Sequence, residues 1–181
     1  MKRIFLLLAM VGMTAFQSCS DDDTANQIDT NTDTIGLVFD VTADFNGNGE
    51  IEFPFESGEV YPGDVVLIYW MEGTTSNGNP IWRAIPRGVS FPNDEYPLLT
   101  GFLNYDFDFT TTEAVIYADS NINLAAIPNY TRGQIFRIFV APGANPIQVN
   151  GRTANQPKVD FNDYEAVAKA YGIKESNVIK R

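Results

Sequence analysis

The chain contains no histidine and a single cysteine, and its 12 Lys and Arg residues face 23 Asp and Glu. Without histidine there is no Ser-His-Asp or Cys-His catalysis, and no zinc or iron site that depends on imidazole. One cysteine cannot form an intramolecular disulfide or a redox-active dithiol, so the fold owes nothing to cross-links. Nucleotide signatures are missing as well: there is no Gly-x-Gly-x-x-Gly, no Walker A loop and no βαβ pattern to hold a dinucleotide. No cofactor is therefore expected. The formal net charge of −11 favours solubility and opposes binding to nucleic acid or anionic lipid headgroups.

What is present begins with an address. Lys2 and Arg3 precede an apolar run from Ile4 to Phe16, lightly interrupted by Gly12 and Thr14. This is the charged and apolar order of an export signal. The run is shorter than the roughly 20 residues a membrane-spanning helix needs, and polar sequence follows from Gln17. Residues 1–18 read as a cleaved signal peptide. The tetrapeptide Phe16-Gln17-Ser18-Cys19 resembles the lipobox of bacterial lipoprotein precursors, with Phe16 where leucine is usual. Cys19 is thus the expected lipidation site and the first residue of the mature chain. The alternative is an ordinary secretory signal in which Cys19 is incidental. Acyl chains anchor at about 0.8 kcal/mol per buried methylene, so a multiply acylated Cys19 would hold the chain on a membrane.

Loss of Lys2 and Arg3 with the signal takes the net charge from −11 to −13. The run Ser20-Asp21-Asp22-Asp23 resembles the acidic signal with which Bacteroidetes send lipoproteins to the outer leaflet of the outer membrane. A solvated linker start would read the same way. Residues 24–34 are too poor in apolar side chains to order themselves, so residues 19–34 form a lipidated, acidic tether.

Residues 35–181 are the size of one domain. Short β-rich runs recur between Gly, Pro and Asn clusters: 36–42, 50–55, 65–72, 80–85, 89–91, 101–109, 113–118 and 134–141. This spacing predicts a mainly β fold, an antiparallel immunoglobulin-like β-sandwich with one C-terminal α-helix. In Tyr105-Asp106-Phe107-Asp108-Phe109, period two puts three aromatics on one face and two carboxylates on the other. Val65 to Trp70 is continuously apolar, the mark of a central strand covered on both faces. Asn46-Gly47 and Asn77-Gly78 are hairpin-turn dipeptides. The helix is expected over 160–171, capped by Asp160, stopped by Gly172, with Phe161, Tyr164, Val167, Ala168 and Tyr171 as its apolar stripe. Lys174, Lys180 and Arg181 read as a polar tail.

The segments VFDVTADF, GDVVLIYWMEG, IWRAIP, LNYDFDFT, VIYAD, QIFRIFVAP and VDFNDYEAVAKAYGI resemble a group of short lipoproteins of Flavobacteria and related Bacteroidetes. The resemblance spans about residues 37–173. It implies an exported, surface-exposed lipoprotein with a β-rich domain, and brings no set of catalytic residues.

Several constellations carry chemistry. Asp44, Asn46, Asn48 and Glu50 stand at positions 1, 3, 5 and 7 of an EF-hand-like loop. Position 12 is Phe55, so the bidentate carboxylate is missing, and a hairpin turn explains Asn46 to Gly49 equally. These are weak calcium candidates. Asp106 and Asp108 could serve as acid and base in glycoside hydrolysis, but residues two apart on one strand approach from the same side, as on a solvated face. Asp40, Asp44 and Asp119, if near them, would offer a loose cation site. Trp70, Trp82, Tyr69 and Tyr96 could form a platform for a polysaccharide or could be core. Arg83 and Arg137 read as partners of surface carboxylates.

The expectation is therefore a lipid-anchored outer-membrane lipoprotein, on the cell surface or otherwise on the periplasmic face. It would act as a non-catalytic module whose partner is a glycan or a protein of the envelope. The alternative is a carboxylate-only hydrolase acting on a polysaccharide.

Overall fold

A computed structural model describes residues 36–143 and 158–181, all within one compact unit spanning Asn31–Arg181. The signal peptide, Cys19 and the acidic run lie outside the described residues. The strands are β1 Leu37–Ala43, β2 Glu50–Pro54, β3 Val65–Thr74, β4 Pro80–Ala84, β5 Arg87–Phe91, β6 Gly101–Phe109, β7 Glu113–Ser120, β8 Gln134–Ala141 and β9 Ile179–Lys180. Two short helices, α1 Pro128–Thr131 and α2 Tyr164–Ala170, complete the main elements. The strands form two sheets, ordered β4-β3-β8-β1-β9 and β2-β7-β6-β5. The fold is mainly β, in two layers, as the strand spacing predicts.

Alternation explains the layering. Ile51 and Phe53 of β2, Leu103 and Tyr105 of β6, and Ala114, Ile116 and Ala118 of β7 point inward. They meet Phe39 and Val41 of β1, Val66, Ile68 and Trp70 of β3, and Phe136, Ile138 and Val140 of β8 in one shared core. Each such large side chain is worth about 1.5–3 kcal/mol when fully withdrawn from water. Buried polar atoms in this core have partners: Trp70 Nε1 donates to Gln134 Oε1 at 3.0 Å, and Gln134 Nε2 donates to the carbonyls of Asn129 and Arg132.

Two turns use glycine for a reason. Gly78 takes φ 81° in the β3–β4 hairpin, as the Asn-Gly dipeptide predicts. Between β1 and β2 the positive φ, 79°, falls on Gly49 rather than Gly47. A Cβ on Gly49 would sit 3.0 Å from the carbonyl oxygen of Ala118 and 3.1 Å from Leu124, so β7 leaves no room for a side chain.

The C-terminal helix is shorter than its apolar stripe suggests. Asp163, not Asp160, is its N-cap, accepting from the Ala166 N–H at 3.2 Å, while Asp160 accepts from Asn162 in the preceding turn. Gly172 does end it, at φ 64°, with the Ile173 N–H bonded to Ala168 O in a Schellman closure. Phe161, Val167, Tyr171 and Ile173 pack with Val38, Phe139 and Ala141, which line the outer face of the first sheet. β3 is thereby covered on both faces, as its unbroken apolar run implies. The polar tail, in contrast, folds back: β9 pairs in parallel with β1, Phe39 opposite Ile179 and Asp40 opposite Lys180. Two residues carry no periodicity, which is why the sequence reads there as tail.

Candidate functional site

The outer face of the second sheet is built by the residues that alternate with its core. Register places Glu50 of β2, Tyr117 of β7 and Asp106 of β6 in one row, and Glu52, Val115 and Asp108 in the next. Glu113 and Asp119 share this face on β7, and Asn104, Gly88 and Ser90 continue it across β6 and β5. With strands about 4.8 Å apart, the two carboxylate columns stand on the order of 10 Å from each other across a Tyr117–Val115 stripe. Glu52, Asp106, Asp108, Glu113 and Asp119 are exposed, and among the described residues no Lys or Arg occupies the face. Partial desolvation, and then the neighbouring Asp108 charge and hydrogen bond, raise the Tyr117 phenol above its ordinary pKa. The surface is flat and open rather than a cleft. Water solvates the carboxylates, and their summed field extends about a Debye length, roughly 8 Å, at physiological salt.

The outer face of the first sheet gathers the other candidate charges. Arg137 of β8 is 1% exposed, so it is not the surface partner its sequence context suggests. Its Nε and Nη2 donate to both Asp40 oxygens at 2.7 and 2.8 Å, and Nη1 and Nη2 donate to both Glu175 oxygens at 2.6 and 2.9 Å. Nη1 also donates to the Tyr164 hydroxyl, and the guanidinium lies 4.3 Å from the Trp82 ring centroid. Burial opposes this charge. The hydrogen bonds to Asp40 and then Glu175 more than offset it and leave the Arg137 pKa raised. Reciprocally, Arg137 holds the Glu175 carboxyl below its usual value. Two bidentate carboxylates and an aromatic face satisfy the guanidinium, the condition under which a buried charge is tolerated. Nothing in the strand's sequence announced this, because Tyr164 and Glu175 lie 27 and 38 residues further along the chain.

The remaining candidates separate. Asp44 accepts from the Gly133 N–H, and Asn46 Oδ1 accepts from the N–H groups of Asn48 and Glu50 at 2.8 and 3.0 Å. The EF-hand-like segment is thus a tight turn in which Asn46 serves the backbone. Asp40 belongs to Arg137 on one sheet, Asp44 to the β1–β2 turn, and Asp119 to the face of the other sheet. Among the described residues no group of three or more His, Cys, Asp or Glu is arranged to hold a metal ion. Asp106 and Asp108 lie side by side on the open face. Tyr69 and Trp70 are buried, Trp82 is half-buried against Arg137 and Tyr164, and Tyr96 packs on Phe91 and Tyr130. Trp70 faces the shared core while Tyr69 and Trp82 stand beside Tyr164 on the other side of the first sheet, so the four form no single platform. Arg83 is a surface partner as expected, bonding Glu72 at 2.7 Å, and Arg87 reaches the same carboxylate at 3.3 Å.

No helix among the described residues is long and apolar enough to cross a membrane. No protein-family model, no curated protein and no solved structure matches the chain.

Proposed function

We propose that the protein is a lipid-anchored outer-membrane lipoprotein, displayed on the cell surface, whose immunoglobulin-like sandwich is a non-catalytic binding module for an envelope component. The observation that carries the binding reading is the contrast between the sheets. One outer face is covered by the chain itself, and the other, among the described residues, is left bare with Glu50, Glu52, Asp106, Asp108, Glu113 and Asp119. Uncompensated carboxylates on a flat sheet repel one another, and a cationic partner would relieve that repulsion while being steered to the face. The reading of the anchor rests on Lys2, Arg3, the Ile4–Phe16 run and the lipobox-like ending at Cys19.

Mass spectrometry of membrane-extracted protein tests the anchor: the mature chain should begin at an acylated Cys19, and Cys19→Ser should leave an unprocessed precursor. Mature, unlipidated Cys19 would overturn the lipoprotein reading. For the module, residues 20–181 should retain envelope material in a salt-sensitive manner, and Asp106→Lys/Asp108→Lys should abolish it. Undiminished retention by the double variant would remove this face from the account.

A further inference from the structure

Two clefts open at the end of the sandwich where β1 finishes and β8 begins. Register fixes the place: Ala43 lies opposite Gln134, whereas Leu37, where β1 starts, lies opposite Val140 at the other end. The first cleft, about 330 Å³, runs between the end of β3 and the α1–β8 junction, with Glu72, Val89, Glu95, Asn129 and Gln134 in its walls. The second, about 480 Å³, opens beside the β1–β2 turn and is lined by Asp44, Phe45, Asn123, Leu124 and Arg132. Both have the size of a small-molecule site. They share the 129–134 segment, which gives Asn129 and Gln134 to one and Arg132 to the other.

The polar groups of the first cleft are held in place by the protein itself. Gln134 is 7% exposed, and Trp70 Nε1 and the carbonyls of Asn129 and Arg132 fix both ends of its amide. Glu95 accepts from Asn129 Nδ2, and Asn93 Nδ2 donates to the Tyr130 hydroxyl at 3.1 Å. Burial, and then the Glu95 charge and hydrogen bond, raise the Tyr130 phenol above its ordinary pKa. Glu72 is held by Arg83 and Arg87. Acceptor capacity remains, because an amide oxygen has two lone pairs and a carboxylate about four, more than these partners use.

Charge narrows the kind of ligand. Glu72 and Glu95 in the first cleft are balanced by Arg83 and Arg87, and Asp44 in the second by Arg132. This local balance stands out in a chain of net charge −11. An ion of either sign finds little net field there, unlike on the acidic sheet face. A ligand rich in hydroxyls on a partly apolar frame matches fixed amides and carboxylates set beside half-buried Val89, Phe45 and Leu124.

We infer that the α1–β8 junction binds a neutral oligosaccharide, with one sugar unit in each cleft. Glu95, Asn129 and the Gln134 oxygen take hydroxyls of one unit, and Asp44, Asn123 and Arg132 take those of another. Linked units enter the second cleft intramolecularly, so a tetrasaccharide binds more tightly than its monosaccharide. The inference stands apart from the acidic face of the second sheet.

The test titrates maltotetraose, cellotetraose, mannotetraose and N-acetylchitotetraose into residues 20–181. Two-dimensional NMR reads the Trp70 indole N–H and the side-chain amides of Asn129 and Gln134. At least one tetrasaccharide should shift these signals saturably at millimolar concentration, binding at least tenfold more tightly than its monosaccharide. Glu95→Ala and Asn129→Ala should each weaken it at least fivefold, while Asp106→Lys/Asp108→Lys should leave it unchanged. Spectra of the free variants that overlay on the parent away from the clefts show that they are folded. No saturable shift with any of the four, or binding that ignores both Glu95→Ala and Asn129→Ala, overturns the inference. Tighter binding of the deacetylated, cationic chitotetraose than of its neutral parent overturns the choice of a neutral ligand. Loss of binding in Asp106→Lys/Asp108→Lys would move the sugar to the acidic face and overturn the site.

Discussion

The two sheets share a core and differ on their outer faces. On the β4-β3-β8-β1-β9 sheet that face is Val38, Phe139, Ala141 and a ringed Arg137 under the α2 segment. On the β2-β7-β6-β5 sheet it is carboxylates in water. The contrast teaches how sign and burial trade against each other in a chain this acidic. A cation can be buried because anions are plentiful enough to surround it, whereas unpaired anions stay solvated. Stability depends on the first face far more than on the second.

Mutations can break this contrast. Arg137→Ala should have the largest effect, a loss of about 3–5 kcal/mol, because it leaves the mostly buried Asp40 carboxylate and Tyr164 hydroxyl without their partner. A denaturant midpoint measures it, and a loss below 1 kcal/mol, the range of exposed pairs, would mean that the ring is not closed in solution. Val167→Ala should follow at about 1–3 kcal/mol, from lost methyls and the cavity left between α2 and Phe139. Next comes pH. Because Arg137 depresses the Glu175 carboxyl, its contribution is complete above the unfolded carboxylate pKa of about 4.3 and is lost as pH falls through the lower folded value. Glu175→Gln should therefore flatten the acid limb of the stability profile, and an unchanged limb would contradict the pairing. The smallest effect belongs to the open face. Asp106→Lys should alter stability by no more than about 0.5 kcal/mol. A loss as large as that of Val167→Ala would show that the face is packed rather than open.

These differences also mark what could be read from the sequence. Tyr105, Asp106, Phe107 and Asp108 declare their faces because period two is local, and the Val65–Trp70 run declares double coverage before its cover is known. Gly172 announces the helix end through its own backbone freedom. Arg137 gave no such sign, since its partners Asp40 and Glu175 lie 97 and 38 residues away. Asp160 and Asp163 both suit a cap, and the structure gives the role to Asp163, which accepts from the Ala166 N–H. β9 was hidden for a different reason, because a two-residue strand has no pattern to detect. The acidic face was legible one strand at a time, from Asp106 and Asp108, but its breadth required the register with β2 and β7.

The position of β1 has a consequence for how the chain is assembled. β1 is the earliest strand of the described domain, yet it lies between β8 and β9, two of its latest. A strand made this early therefore waits, with both edges unpaired, until almost the whole domain has followed it. Pairings so distant in sequence close slowly, because the intervening loop entropy is spent before any ladder forms. Until Arg181 arrives, the aromatic rings of Phe39 and Phe53 have no cap, and the nascent chain carries an exposed edge open to mispairing.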